Sequence, residues 1–189
     1  MTDPETPPLI RYMESHLGPI ASGGIFEDPA IQVVRFDNQP FEKAVTYATL
    51  GLSHHVLKQE RGPGIRMELL LGCHERFVPW NPGSLLAAVA KDLLSKHAAL
   101  RQGAVLGPAG PIKPGSSCHG FLCTGPGYYP DAMGSFDDSD PQTLFALLIP
   151  VTHDEIHFIW DHGWSAFEDR LVEQDPDVWD LERASINLE

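Results

Sequence analysis

Thr143 to Glu173, TLFALLIPVTHDEIHFIWDHGWSAFEDRLVE, leaves a chain like this little conformational choice. Leu144–Ile149 is a short apolar run of the kind found in strands covered on both faces, and Pro150, which lacks a ladder N–H, is expected to end it. Thr152 and Glu155 then have capping-box spacing, in which the hydroxyl serves an amide of the first turn and the carboxylate reaches back, so a helix is predicted to start at His153. Ile156, Ile159 and Trp160 follow at helical spacing, Asp154 and Glu155 sit where the helix dipole favours anions, and Gly163 supplies a left-handed stop. Ser165 and Glu168 repeat the capping-box spacing, which predicts a second helix with Phe167 and Leu171 facing inward, ending before Asp175-Pro176.

The preceding chain docks onto that unit. Leu9, Ile10, Met13 and Leu17 have helical spacing behind Pro7-Pro8, with Gly18-Pro19 as the stop, and a Gly-rich turn is expected at Ser22–Gly24. Ile31–Phe36 is rich in β-formers, and Val45–Leu52 reads as its partner strand. Ile65, Met67, Leu69, Leu71 and Cys73 alternate with Arg66 and Glu68, the pattern of a half-buried strand, and Arg61–Gly64 turns the chain into it; together these predict a three-stranded antiparallel meander. Asn81-Pro82 opens a helix whose stripe of Leu85, Leu86, Val89, Leu93 and Leu94 runs to about Arg101. Residues 103–141 are crowded with Pro and Gly around one strand candidate, His119–Thr124, and long loops of this kind often carry binding.

A chain of 189 residues with 42% hydrophobic content is expected to form one domain spanning residues 1–189. Its formal net charge of −13 argues against a nucleic-acid partner, which needs a basic footprint, and fits a cationic partner or plain solubility. Met1–Pro8 does not read as a secretory signal, no apolar run approaches the length of a membrane helix, and three cysteines form no closed disulfide set, so a reducing cytoplasmic home is expected.

His153 and His157, four apart with Asp154 beside the first, resemble the H-E-x-x-H zinc arrangement, but Asp154 is one methylene shorter than the usual Glu and His153 falls in the capped first turn, a poor place for a ligand. His162, Cys118 or His119 are the geometrically possible third ligands. Gly107–Ser117 loosely resembles a phosphate loop, yet Pro114 follows Lys113, and Pro108, Pro111 and Pro114 each delete an amide that a phosphate cradle would use. Cys73-His74 and Cys118-His119 point oppositely on extended backbone and do not make a nucleophile with its base. Neither a catalytic set, a cofactor site nor a metal-ligand set is expected.

Trp80-Asn81-Pro82 leading the LLAAVAKDLL helix, the LFALLIPVTHDEIHFIWDHGWSAFEDRL stretch and Arg183-Ala184-Ser185-Ile186, in that order, resemble the suppressor of fused domain over about Phe41–Ile186. The strand pair Val45–Leu52 and Ile65–Gly72 is similar to one in that family as well. The resemblance implies an α+β fold, a mixed and largely antiparallel sheet flanked by helices, with no catalytic activity. Animal members regulate Hedgehog signalling by sequestering a transcription factor and carry a further C-terminal domain; stand-alone bacterial members, which this chain resembles, are thought to be immunity proteins of polymorphic toxin systems. Where family members tend to have His or Asp-His after the glycine beyond the main helix, Ala104-Val105 follow Gly103 here, so no partner residue is carried over.

The function expected is that of a non-enzymatic immunity protein binding a protein partner, a basic toxin domain, and neither nucleic acid nor membrane. The partner-binding residues expected from the sequence are Tyr128, Tyr129, Asp137, Asp138 and Asp140, aromatics flanked by one sign of charge. A metal-dependent hydrolase built on the His153/His157 helix and a regulatory adaptor that meets a partner through a sheet edge are the alternatives.

Overall fold

In a computed structural model of the protein, residues 6–26 and 31–189 are described. The first five residues of the Met1–Pro8 segment lie outside them. The elements, in chain order, are α1 (Pro8–Leu17), β1 (Ser22–Phe26), β2 (Ile31–Asp37), β3 (Ala44–Leu50), β4 (Arg66–His74), α2 (Gly83–Lys96), β5 (Val105–Leu106), β6 (Cys118–Thr124), β7 (Ser135–Phe136), β8 (Thr143–Thr152), α3 (His153–His162) and α4 (Trp164–Gln174). They form two compact units, residues 1–100 with 125–147 and residues 101–124 with 148–189, and β8 passes from the first into the second. The fold is α+β.

In the first unit the strand order is β1-β2-β3-β4-β8, with β7 also on β8. All of these pairings are antiparallel except β4 with β8, which are parallel from Arg66↔Thr143 to Leu70↔Leu147. The expected meander of β2, β3 and β4 is present, and α2 packs on all three strands. Gly83, the first residue of α2, lies close to Tyr47 and Val33, so the helix starts against the sheet. Leu86, Ala87, Ala90, Leu93 and Leu94 are its buried face; Leu85 and Val89, expected inward, are half-buried. The helix stops at Lys96 rather than near Arg101 because His97 turns left-handed, with φ of 51°.

Three further expectations are corrected in this unit. Ser22–Gly24 is not a turn but part of β1, paired with β2 from Ser22↔Arg35 onward. The Val45–Leu52 strand ends at Leu50, because Gly51 takes a φ of 104° and starts a 3-10 turn over Leu52–His54. β4 is buried on both faces rather than one; Glu68 and Leu70, on the face expected to be wet, are fully buried.

In the second unit β6 lies between β8 and β5. Gly120 permits the close approach of β5, since a Cβ there would strike the Leu106 carbonyl. The Pro- and Gly-rich segment thus holds more strand than its composition suggested: β5, β6 and, in the first unit, β7. The strand expected to stop at Pro150 continues to Thr152. Its ladder to β4 ends at Leu147, so that side of β8 asks no amide of Pro150.

α3 starts at His153 behind the expected capping box: Thr152 Oγ1 accepts from the Glu155 N–H at 3.3 Å, and Glu155 Oε2 accepts from the Thr152 N–H at 2.9 Å. Ile156 and Ile159 are buried, whereas Trp160 is 55% exposed and is not part of the core stripe. The second capping box does not form, because α4 begins at Trp164, two residues before the start that Ser165 would cap, and places Ser165 inside its first turn. Phe167 and Leu171 are buried as expected, and α4 ends at Gln174 with Asp175 left-handed.

Candidate functional site

The expected partner-binding residues lie in the first unit. β7 and β8 form a hairpin, Ser135↔Leu144 and Phe136↔Thr143, and Asp137, Asp138 and Asp140 are exposed at its tip. The tip is held by its own side chains and by Arg66 of β4. Ser135 Oγ donates to Asp137 Oδ1 at 3.1 Å, Ser139 Oγ donates to the Pro141 carbonyl at 3.0 Å, and Arg66 Nε donates to the Asp140 carbonyl at 3.4 Å. Tyr12 of α1 anchors the base of the hairpin, its hydroxyl reaching the carbonyls of Ala132 and Ser135 and its ring 5.2 Å from Phe136.

Tyr128 is 46% exposed, but Tyr129, expected as an interface anchor, is buried and offers a partner no surface. Thr46 Oγ1 gives its one proton to the Gln39 carbonyl at 2.8 Å, so the Tyr129 hydroxyl donates to Thr46 Oγ1 across 2.9 Å. Burial raises the Tyr129 pKa well above that of a free phenol, and the side chain is a structural peg.

A second exposed feature of this unit is β1. It ends the strand order, four of its five residues are exposed, and Ile25 is 61% exposed. A concavity of about 290 Å³ beside it is lined by Ile10, Ile20, Gly24, Ile25 and Val34 among others.

In the second unit, the two histidines flagged in the sequence do meet. His153 Nε2 and His157 Nε2 are 3.3 Å apart on the exposed face of α3, so the capped first turn does not misplace His153. Of the possible third ligands, His119 stacks edge-on to His153 with ring centroids 5.9 Å apart, and His162 instead stacks on Phe158 at 4.4 Å. Cys118 is buried. Among the described residues no three His, Cys, Asp or Glu side chains are placed to hold one ion, so the three-ligand set of a zinc hydrolase is not assembled.

The other sequence candidates have structural duties. Lys113 of the loose phosphate-loop match forms an ion pair with Glu182, Ser116 Oγ donates to the Leu181 carbonyl, and Ser117 Oγ donates to the Arg183 carbonyl at 2.6 Å. The loop therefore clasps the C-terminal segment. Burial pushes Cys73, Cys118 and Cys123 up to about 12, 11 and 12, so their thiols stay protonated at neutral pH and are poor nucleophiles.

What the sequence reading missed is a pair of buried carboxylates. Glu155, read from the sequence as a capping residue and a first-turn anion, is fully buried and accepts from Arg183 at 2.7 and 2.6 Å in addition to the N–H groups of Thr152 and Ile186. Arg183 Nη2 also donates to the Pro150 carbonyl at 2.8 Å, so one guanidinium joins the tail, the end of β8 and the start of α3. Glu68, read as an outward residue of β4, accepts from Thr49 Oγ1 (2.5 Å), Gly51 N (3.0 Å), Ser53 N (3.1 Å) and Ser53 Oγ (2.7 Å). Burial raises its pKa to about 6 against the pull of those four bonds.

The sequence pattern of the suppressor of fused protein family (SUFU) matches residues 27–184. The chain belongs to the suppressor of fused family. Sequence comparison with curated proteins finds no match. Among solved structures, the suppressor of fused domain described here is similar to a SUFU homologue from Neisseria gonorrhoeae FA 1090, with a TM-score of 0.70 and 21% identity over 94% of this chain and 91% of that one. It is also similar to a chain of the Sufu–Fu complex (TM-score 0.67, 14% identity, 96% of this chain and 89% of that one). Drosophila Suppressor of Fused matches with a TM-score of 0.68 and 15% identity over 98% of this chain, which spans 54% of the Drosophila one. At these identities the structural likeness is one of fold. The Arg183-Ala184-Ser185-Ile186 segment that suggested the family from sequence holds, in Arg183, the buried partner of Glu155.

Proposed function

We propose that this suppressor of fused domain is a non-enzymatic protein-binding domain, acting in the cytoplasm as an immunity protein that neutralises a basic toxin domain by covering it. The observation that carries the reading is its fold similarity, over 96% of the chain, to a protein crystallised with a protein partner, Fu. The net charge of −13 and the three exposed aspartates of the β7–β8 hairpin supply the electrostatic steering that a basic partner would feel, and exposed Tyr128 is the aromatic anchor nearby in sequence. Among the described residues no helix is long and apolar enough to cross a membrane, which agrees with a partner met in solution.

The test is purification of the domain with the toxin domain encoded by the neighbouring open reading frame. A stable complex is expected, associating more slowly as salt is added. Lysine at positions 137, 138 and 140 should slow association by about tenfold or more at low salt. An unchanged rate removes the hairpin from the interface, and no complex with any adjacent toxin removes the immunity reading.

A second reading, a regulatory adaptor, is favoured by one observation: β1 is an exposed edge strand with Ile25 beside an apolar concavity. Such an edge can accept an added strand from a partner. Loss of a cellular partner on Ile25→Lys, with the three aspartates intact, would favour the adaptor.

A further inference from the structure

We propose that His153 and His157 form a surface site for a borderline divalent transition-metal ion of the Cu2+, Ni2+ or Zn2+ class, independent of the protein-binding reading above. The two imidazoles stand one turn apart on α3, a spacing that puts side chains on the same face. Their Nε2 atoms converge to 3.3 Å. Two nitrogens each about 2.0–2.1 Å from an ion, at a near-tetrahedral angle, lie about 3.3 Å apart, so the pair already has the bite an ion needs.

Without an ion the same contact can hold only a single shared proton, one ring donating to the other. An ion uses both lone pairs at once. Imidazole nitrogen suits copper, nickel and zinc, while magnesium and calcium prefer oxygen.

The surroundings prepare the pair. His153 is the first residue behind the Thr152–Glu155 capping box, so the backbone under the site is fixed by two hydrogen bonds. Asp154 Oδ1 lies 3.6 Å from His153 Nδ1, the ring nitrogen left over when Nε2 faces the ion, on the side from which a carboxylate can orient a ligating imidazole. Both rings are exposed, which leaves the remaining coordination positions to water or to a donor brought by a partner. That openness, with two protein ligands, describes a binding site rather than a hydrolytic centre.

Trp160 provides a built-in reporter, its ring edge-to-face with His157 at 5.2 Å and half exposed. Untagged full-length protein, stripped with chelator and desalted, would be titrated with CuCl2 while tryptophan emission is followed, and with ZnCl2 in a calorimeter. The expected result is one ion per chain and marked quenching by copper. His153→Ala and His157→Ala should each weaken zinc binding more than about tenfold. Trp160→Phe should remove most of the quenching and leave the calorimetric affinity intact. The double variant His54→Ala/His55→Ala, which removes a neighbouring pair in sequence, should bind as the parent does. Each variant's melting curve, measured in chelator, shows whether it is folded. Folded His153→Ala and His157→Ala proteins that bind as tightly as the parent would overturn the proposal, as would a parent chain that binds neither metal.

Discussion

Glu68 and Glu155 are both fully buried, and each accepts four hydrogen bonds, two from backbone N–H groups and two from side-chain donors. They differ in what the side-chain donors are. Glu155 faces a guanidinium, so its charge is matched and the pair closes the second unit by drawing the tail onto the β8–α3 step. Glu68 faces two hydroxyls. Its hydrogen bonds are complete but its charge is not balanced, and burial lifts its pKa to about 6. Full hydrogen bonding is therefore not full compensation: dipoles serve lone pairs, whereas a cation also offsets the loss of water around the charge.

Arg183→Met should cost the most, about 3–5 kcal/mol of unfolding free energy in a urea titration, because it leaves an ionised carboxylate buried without its cation. In a cycle with Glu155→Gln, which removes the orphaned charge, the double variant should recover part of that loss; a purely additive result would mean that the pair acts only through packing. Glu68→Ala should cost less, about 2–4 kcal/mol, since it deletes the charge and strands only neutral donors, some of which can find water. If it proves as costly as Arg183→Met, the distinction between the two sites fails.

The pH dependence separates them further. Glu68 holds its proton more tightly in the folded chain than at its ordinary value of 4.5, so its contribution to stability is fully present below pH 4.5 and is lost as pH rises through 6. The loss amounts to roughly 2 kcal/mol for a shift of this size. Glu68→Gln cannot titrate, so the difference in stability between parent and variant should change by that amount between pH 4 and pH 7. A constant difference would show that Glu68 ionises in the fold as it does in water.

Thr152→Ala tests how much of the second site rests on the cap alone. It removes the acceptor for the Glu155 N–H but leaves Arg183 and the Thr152 N–H in place, and it should cost about 1 kcal/mol in thermal unfolding. Replacing the exposed Asp137, Asp138 and Asp140 by asparagine sets the zero of the scale. In high dielectric these charges should change stability by less than about 0.5 kcal/mol, whatever they do to partner binding.

The local order of this protein is legible in its sequence wherever a structural choice is made within a few residues. The start of α3 is written by Thr152 and Glu155, the end of α1 by Gly18, and β2, β3 and β4 by their β-rich runs, because caps, turns and periodicity act over one or two turns of chain. The same short range explains the failures. Trp160 has helical spacing yet faces solvent, and Pro150 has no N–H yet sits inside a strand, because which side of an element is covered depends on segments remote in sequence. Tyr129 reads as an anchor in the sequence, yet Thr46, from β3, holds its hydroxyl in the interior. The histidine pair lay between these cases: its spacing was visible, but its 3.3 Å approach required the helix geometry. Only the tertiary structure could decide the fate of Glu68 and Glu155. A carboxylate reads as a surface residue until the chain supplies enough donors to replace its water, and apart from the Thr152 N–H those donors come from 15 to 31 positions away.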